Sequence, residues 1–166
     1  MSAIRSVLAL GSNLGASNDT LLLAVADLVA SDDIRLNAVS PVVRTLPVGG
    51  PEQPEYLNMV IEVETSLGPY ELLEHCQAVE ARHLRERTVR WGPRTLDVDI
   101  ITFGSWTSDD EALTVPHPRA ASRAFVLQPW AWMDPGAQLG GRPVAELAAE
   151  AEDLPGLVLF EESRTP

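Results

Sequence analysis

The segment from Tyr56 to Thr65 alternates between two sets of residues with the two-residue period of a β-strand. One face carries four apolar residues, Leu57, Met59, Ile61 and Val63. The other face carries a mixed set, Tyr56, Asn58, Val60, Glu62 and Glu64. A strand with one apolar face needs partner strands and a covering layer, so the chain is limited to folds that contain a sheet.

The order of the other elements narrows the choice of fold. The patterns predict strands at residues 3–10, 34–45 and 95–103, and helices at residues 20–30 and 69–85. Pro41 marks an edge or a bulge in the second of these strands. The resulting β-α-β-β-α-β order predicts an α+β fold with a ferredoxin-like core, a mainly antiparallel sheet with helices packed on it.

A C-terminal extension follows this core. It is predicted to contain a strand at residues 113–115, helices at 120–127 and 143–151, and an edge strand at 156–161. We find no repeat or linker, so we expect residues 1–166 to form a single domain.

Charge and composition indicate the class of partner. The net charge of −12 argues against a nucleic acid or an anionic membrane as partner. No apolar run approaches the ~20 residues of a membrane helix, and the N-terminus does not resemble a signal peptide, so we expect a cytoplasmic protein. The single cysteine, Cys76, excludes an internal disulfide and is interpreted as a packing residue. Five arginines cluster within thirteen residues and suggest a polyanion site: Arg82, Arg85, Arg87, Arg90 and Arg94.

Two aspartates share one side of the strand that follows this cluster. Leu96, Val98 and Ile100 can enter the core while Asp97 and Asp99 project from the opposite face, roughly 6.6 Å apart along the strand. Neighbouring carboxylates repel unless a cation lies between them, and Mg²⁺ prefers oxygen ligands. An isolated pair of this kind is more often the solvated face of an edge strand. The preceding Arg-Trp-Gly-Pro-Arg segment favours a site for metal and phosphate.

Other residues leave two interpretations open. Tyr56 and Asn58 lie beside a proline- and glycine-rich loop at residues 46–55, and could bind a flat heterocycle. Taken alone, they are better explained as a surface tyrosine and a strand-end asparagine. His117 lies between two prolines, which make the backbone stiff and could position its side chain for binding. His-Pro pairs are also common in ordinary loops, so the position alone does not indicate a site.

Several motifs in order carry a family resemblance. They are Leu10-Gly11-Ser12-Asn13-Leu14-Gly15, residues 52–58, residues 90–100, Leu113 to Pro118, and Arg123-Ala124-Phe125. With these, the chain resembles the 6-hydroxymethyl-7,8-dihydropterin pyrophosphokinases of folate biosynthesis. The resemblance implies that ATP gives its β,γ-diphosphoryl group to the pterin hydroxymethyl oxygen and leaves as AMP. It also implies a monomer.

The resemblance assigns roles to individual positions. Asp97 and Asp99 would hold two Mg²⁺ ions. The sequence offers no obvious protein base, so we expect the metal to activate the pterin hydroxyl. Three arginines would act in catalysis: Arg85, Arg87 and Arg94. The pterin would contact Thr45, Val48, Tyr56, Asn58, Trp91 and Phe125, with the ring between Trp91 and Phe125. The ATP would contact Gln77, Glu80, Arg94, Ile100, Thr114, His117 and Arg123.

The chain departs from the family pattern at a few positions. Leu84 stands where the family commonly has a glycine, and the segment from Arg87 to Trp91 is one residue shorter than in some members. Pro118 stands where an aromatic residue is often found. An arginine that some members have near the position of Ala112 is missing. These changes bear on nucleotide contacts and turnover. Two other functions remain as alternatives: a ferredoxin-like domain that senses a small molecule without catalysis, and another Mg²⁺-dependent nucleotide transferase.

Overall fold

The structure, a computed structural model, describes residues 3–13, 17–45, 56–85 and 96–160. Within these ranges the strands are β1 (Ile4–Ser12), β2 (Ile34–Val39), β3 (Val43–Thr45), β4 (Tyr56–Thr65), β5 (Leu96–Phe103), β6 (Ser108–Asp110), β7 (Leu113–Val115), β8 (Gln138–Leu139), β9 (Arg142–Pro143) and β10 (Leu157–Leu159). The α-helices are α1 (Ser17–Leu28), α2 (Pro69–Arg85), α3 (Ala124–Met133) and α4 (Val144–Glu150). Short 3₁₀ helices lie at Ala120–Ser122 and Leu154–Gly156.

A six-stranded antiparallel sheet lies at the centre of the fold. Its strand order is β5-β1-β4-β3-β10, and β2 also pairs with β4. The helix α1 connects β1 to β2, while β4 lies between these two strands; α2 connects β4 to β5, while β1 lies between them. This is the split β-α-β arrangement, so the predicted ferredoxin-like core is confirmed.

The sheet separates two apolar cores. On the first face, α1 and α2 cover the predicted apolar face of β4, including Met59 and Ile61. On the second face, α3 and α4 cover Val60, which is completely buried. Val60 belongs to the same apolar cluster as Leu127 and Trp130 of α3. The C-terminal extension therefore supplies a second covering layer, and a cavity remains on this face beside Tyr56 and Asn58.

The strand β5 contributes to both cores because it contains a bulge. Val7 of β1 pairs with Thr102, but the next residue, Leu8, pairs with Ile100, so Ile101 is the extra residue. Ile101 is buried in the second core, whereas Phe103 returns to the first.

Several predicted boundaries need correction. The strand predicted at residues 34–45 is divided into β2 and β3, because Pro41 has no N–H to donate; Ser40 instead bonds to Val60 through both its backbone and its hydroxyl. The helix predicted at 120–127 is a 3₁₀ turn followed by α3. Trp132 is 47% exposed on α3. In the described part of the chain, no helix has the length and apolar content required to cross a membrane.

Candidate active site

A cavity of about 880 Å³ opens on the second face of the sheet, beyond the end of the core beneath α3. Residues from β1, β4, β5, α3 and the C-terminal segment line it. The lining residues are Ala9, Leu10, Gly11, Asn13, Thr45, Tyr56, Asn58, Asp97, Asp99, Ile101, His117, Arg123, Phe125, Val126, Glu152, Asp153, Pro155 and Gly156. The cavity therefore collects residues that are far apart in the sequence.

The two aspartates of β5 lie side by side on the cavity face. Asp99 pairs across the sheet with Ala9, and Asp97 pairs with Gly11, so both carboxylates rise above small residues. Burial raises the pKa of the Asp99 carboxyl, and the charge of Asp97 adds to this effect, while His117 and Arg123 oppose it. A half-buried carboxylate beside a second one gains from a bound cation.

The absence of a side chain at Gly11 allows Tyr56 and Asn58 to approach β1 closely. A Cβ atom on Gly11 would lie 2.6 Å from Asn58 Oδ1 and 2.8 Å from Tyr56 Cε1. Asn58 is itself a buried polar residue. Glycine at this position thus shapes the floor of the cavity.

Tyr56 connects the floor of the cavity to the aspartate pair. Its hydroxyl donates a hydrogen bond to Asp97 Oδ2 at 2.6 Å. Hydrogen bonds to an ionised carboxylate are short and strong, so this contact fixes one oxygen of Asp97. Thr45, at the end of β3, pairs with Tyr56 on the other side.

The first turn of α3 places a cation and an aromatic ring on the opposite wall. The guanidinium carbon of Arg123 lies 5.4 Å from the centre of the Phe125 ring, a cation–π distance. Both side chains line the cavity. The wall can therefore offer a flat apolar surface and a positive charge at neighbouring positions.

His117 lies beside these groups and is held by two backbone contacts. The backbone N–H of His117 donates to the carbonyl of Ile101 at 3.0 Å. Its ring Nδ1 accepts the backbone N–H of Arg119 at 3.3 Å. Burial lowers the pKa of His117; Arg123 and Arg119 lower it further, while Asp99 opposes them. The imidazole is therefore neutral at neutral pH, and the bond to Nδ1 places its proton on Nε2.

Glu80 supports the aspartate pair from the first face of the sheet. Its Oε2 accepts the backbone N–H of Val98, between the two aspartates, at 2.8 Å. Burial raises the pKa of Glu80, the Val98 bond lowers it, and the charges of Asp97 and Asp99 raise it again. Among the described strands β5 lies at the edge of the sheet, so this carboxylate accepts from a backbone donor that none of those strands pairs.

Not all residues predicted to contact ATP reach this cavity. His117 and Arg123 line it, whereas Gln77, Glu80, Ile100 and Thr114 do not. The side chain of Ile100 is 3% exposed in the first core, because strand alternation directs it away from the aspartates. Gln77 is exposed on α2, and the Thr114 hydroxyl donates to the Asp110 carbonyl at 2.9 Å. An ATP contact at these four positions stays a prediction, and the cavity geometry does not support one through the side chain of Ile100.

Some predicted positions lie outside the described residues: Val48, Arg87, Trp91 and Arg94. Arg85 ends α2, and its side chain also lies outside the described part.

The C-terminal part of the cavity wall was not predicted from the sequence. Glu152, Asp153, Pro155 and Gly156 line the cavity, although only a helix and an edge strand were predicted near them. The acidic pair followed by Pro-Gly, just before a short apolar strand, was the available signal. This pattern indicates a turn, but it does not show that the turn lines the cavity.

Comparison with known proteins shows the family of the chain. Residues 7–135 match the protein family described as 7,8-dihydro-6-hydroxymethylpterin-pyrophosphokinase (HPPK).

The chain belongs to the HPPK family.

Two relatives show how far the similarity of this HPPK family member extends. The chain is 47% identical over 124 residues to the 2-amino-4-hydroxy-6-hydroxymethyldihydropteridine pyrophosphokinase of Bacillus subtilis, covering 75% of this chain and 74% of the relative. It is 41% identical over 158 residues to the enzyme of the same name from Pseudomonas aeruginosa, covering 92% of this chain and 98% of the relative.

Solved structures support the fold. The crystal structure titled Plasmodium falciparum HPPK-DHPS wild type with pteroate superposes with a TM-score of 0.69 at 13% identity, over 89% of this chain. The chain spans 42% of that longer protein, so this likeness concerns the fold of one part of it.

The aspartate pair of this HPPK family member has donors suited to magnesium. Within residues 3–13, 17–45, 56–85 and 96–160, no group of three or more His, Cys, Asp or Glu side chains could hold a metal ion by itself. Mg²⁺ is, however, commonly held by one or two carboxylates together with substrate phosphates. Asp97 and Asp99 supply this number of carboxylates, so the residues present fit a nucleotide-bound magnesium ion.

Proposed function

We propose that this protein transfers the β,γ-diphosphoryl group of ATP to the hydroxymethyl oxygen of 6-hydroxymethyl-7,8-dihydropterin. The products would be AMP and the pterin diphosphate, in a step of tetrahydrofolate biosynthesis. Membership of the HPPK family supports this activity. The observation that carries the proposal is the Tyr56–Asp97 hydrogen bond of 2.6 Å, because it links the part of the cavity lined by Asn58 and Phe125 to the carboxylate pair.

The pterin would occupy the recess between β4 and the first turn of α3. Phe125 offers an aromatic surface for one face of the ring, and the buried amide of Asn58 can both donate to and accept from its polar edge. Thr45 and Tyr56 border the same recess. Val48 and Trp91 complete the predicted pterin contacts, Trp91 on the opposite face of the ring.

The ATP phosphates would lie toward the aspartates and the positive wall. Arg123 can pair with phosphate oxygens, and neutral His117 can donate through Nε2. Arg94 is predicted to add positive charge here, and Arg85 and Arg87 to assist turnover. The phosphoryl group needs positioning and charge neutralisation more than covalent chemistry from the protein.

Asp97 and Asp99 would hold two magnesium ions when substrates are bound. Such ions would neutralise phosphate charge and make the attacking hydroxyl more acidic. Tyr56 would orient Asp97 through its hydroxyl, and Glu80 would hold the Val98 backbone between the two ligands. The Tyr56 contact limits the rotation of the Asp97 carboxylate before the substrates arrive, and the Glu80 contact holds the backbone between the two aspartates.

The wider setting follows from the same proposal. We propose a monomeric, cytoplasmic enzyme in which residues 1–166 act as a single domain on two small molecules, with no nucleic-acid or membrane partner. The net charge of −12 supports the exclusion of polyanionic partners.

The deciding experiment mixes purified protein with Mg²⁺, ATP and 6-hydroxymethyl-7,8-dihydropterin and follows AMP and pterin diphosphate by chromatography. We expect both products in equal amounts, and none when the pterin is omitted or the metal is chelated. Pterin binding without AMP formation would favour the sensing domain instead. AMP or ADP formation that does not depend on the pterin would favour another nucleotide transferase.

A further inference from the structure

The C-terminal segment, residues 151–160, forms a wall of the cavity but lies beyond residue 135, where the match to the family ends. Four of its residues line the cavity, and the proposed function gives none of them a role. The contacts that hold these residues in place indicate what the segment does.

Two sets of contacts fasten the segment between walls that carry predicted pterin residues. On one side, β10 pairs with β3, where Leu157 lies opposite Thr45, and the Phe160 N–H donates to the Val42 carbonyl at 2.9 Å. On the other side, Asp153 Oδ1 accepts the backbone N–H of Ala124 at 2.9 Å. The segment therefore joins the strand that ends at Thr45 to the helix that begins at Ala124.

The bond from Ala124 satisfies a group that the helix itself leaves unpaired. The first N–H groups of an α-helix have no acceptor within the helix. Arg123 occupies the N-cap position of α3, and its side chain makes no capping hydrogen bond. Asp153 thus supplies, from a distant segment, an acceptor for the first N–H of the helix, and its charge suits this end of the helix.

The position of this bond matters because it lies between two cavity side chains. Arg123 precedes Ala124 and Phe125 follows it, and the two side chains contact each other at 5.4 Å. A surface that is ordered before the ligand arrives does not lose affinity to ordering during binding. Fixing the backbone at Ala124 therefore prepares Phe125 to receive a flat ring.

We propose that Asp153 is a positioning residue for the pterin side of the cavity, acting through the Ala124 backbone on Phe125 and Arg123. This inference rests on the proposed function, because the pterin is the ligand that Phe125 would stack against. This positioning depends on the Asp153 oxygen that accepts the Ala124 N–H. Asparagine has an oxygen at the same place and keeps the bond, whereas glutamate moves its oxygens by one methylene and loses it.

The test compares four variants in pterin affinity, measured by titration calorimetry in the presence of Mg²⁺ and a non-hydrolysable ATP analogue. Loss of a capping acceptor should weaken pterin binding about fivefold in Asp153→Ala and in Asp153→Glu, whereas Asp153→Asn should bind like wild type. The control, Asp134→Ala, removes a similar side chain–backbone bond to Gly136 at the other end of α3, and should leave pterin binding unchanged. If Asp153→Ala does not fold, Asp153→Glu decides the question, because it retains the charge and moves the acceptor.

Hydrogen exchange at the Ala124 amide provides a second measurement. We expect faster exchange in Asp153→Ala and Asp153→Glu and wild-type exchange in Asp153→Asn. Wild-type pterin affinity in both Asp153→Ala and Asp153→Glu would overturn the inference, as would equal weakening in Asp153→Asn. A wild-type protein that forms no pterin diphosphate overturns the proposed function and the pterin role with it, while the exchange rates would still show whether Asp153 fastens α3.

Discussion

Replacing Gly11 by alanine tests whether the floor of the cavity depends on a close approach between β1 and β4. The new methyl group would lie 2.6 Å from Asn58 Oδ1 and 2.8 Å from Tyr56 Cε1, distances that require these side chains to move. Neither can move freely. Asn58 is 6% exposed on a strand paired on both sides, and the Tyr56 hydroxyl is bonded to Asp97.

The expected cost of this substitution comes from overpacking and from the lost hydrogen bond. Forcing an extra methyl group into a close-packed site costs about 1–3 kcal/mol. For a domain of this size, that loss lowers Tm by roughly 2–12 °C. Displacing Tyr56 and Asn58 also disturbs the predicted pterin recess, and we expect the pterin KM to rise about tenfold, equivalent to about 1.4 kcal/mol of binding free energy.

The assay measures Tm of the unliganded protein by calorimetry and the KM of each substrate in the diphosphoryl-transfer reaction. The matched control is Gly136→Ala, whose added methyl group would lie 3.8 Å from Asp134 Oδ1, an ordinary contact. We expect the control to keep the wild-type Tm and both KM values. A Gly11→Ala protein with unchanged Tm and pterin KM would refute the steric argument.

Three further predictions concern the aspartates and Trp91, the predicted aromatic partner of Phe125. Asp97→Ala or Asp99→Ala should lower kcat by about 100-fold or more and leave the circular-dichroism spectrum unchanged. The control Asp109→Ala lies outside the cavity and should retain activity. Near-normal turnover in either cavity variant would contradict the metal assignment. Trp91→Ala should weaken pterin binding much more than ATP binding in separate titrations, and equal losses would argue against a sandwiched ring. Burial raises the pKa of Asp99, so its stabilising contribution is complete below about pH 4 and is lost as the pH rises through the raised value. Unliganded Asp99→Asn should therefore have a higher Tm than wild type near neutral pH and an equal Tm near about pH 4, and a difference that grew on acidification would show the opposite sign.

The ferredoxin-like order could be predicted because it depends on local patterns. Alternation with a period of two in Tyr56–Thr65 and the helical spacing of Pro69–Arg85 depend only on residues close in sequence, and both elements have the predicted bounds. The placement of Asp97 and Asp99 on the face opposite Val98 follows from the same alternation.

Other features could not be predicted because they depend on which surfaces meet. The sequence of β4 indicated one apolar face, but α3 buries Val60 on the other, so polar and apolar neighbours there are divided between a cavity and a core. The bulge at Ile101 changes which side of β5 faces each core, and no local signal marked it.

The sequence alone determined which chemical groups are available: a carboxylate pair, a tyrosine and an asparagine at the start of one strand, and an arginine and a phenylalanine two residues apart. Their spacing fixed which of them share a face, since backbone geometry acts over a few residues. Only the tertiary structure decided that Tyr56 bonds to Asp97 and that Asp153 reaches Ala124, because those pairs are separated by 41 and 29 positions and meet through packing of the sheet, α3 and the C-terminal segment.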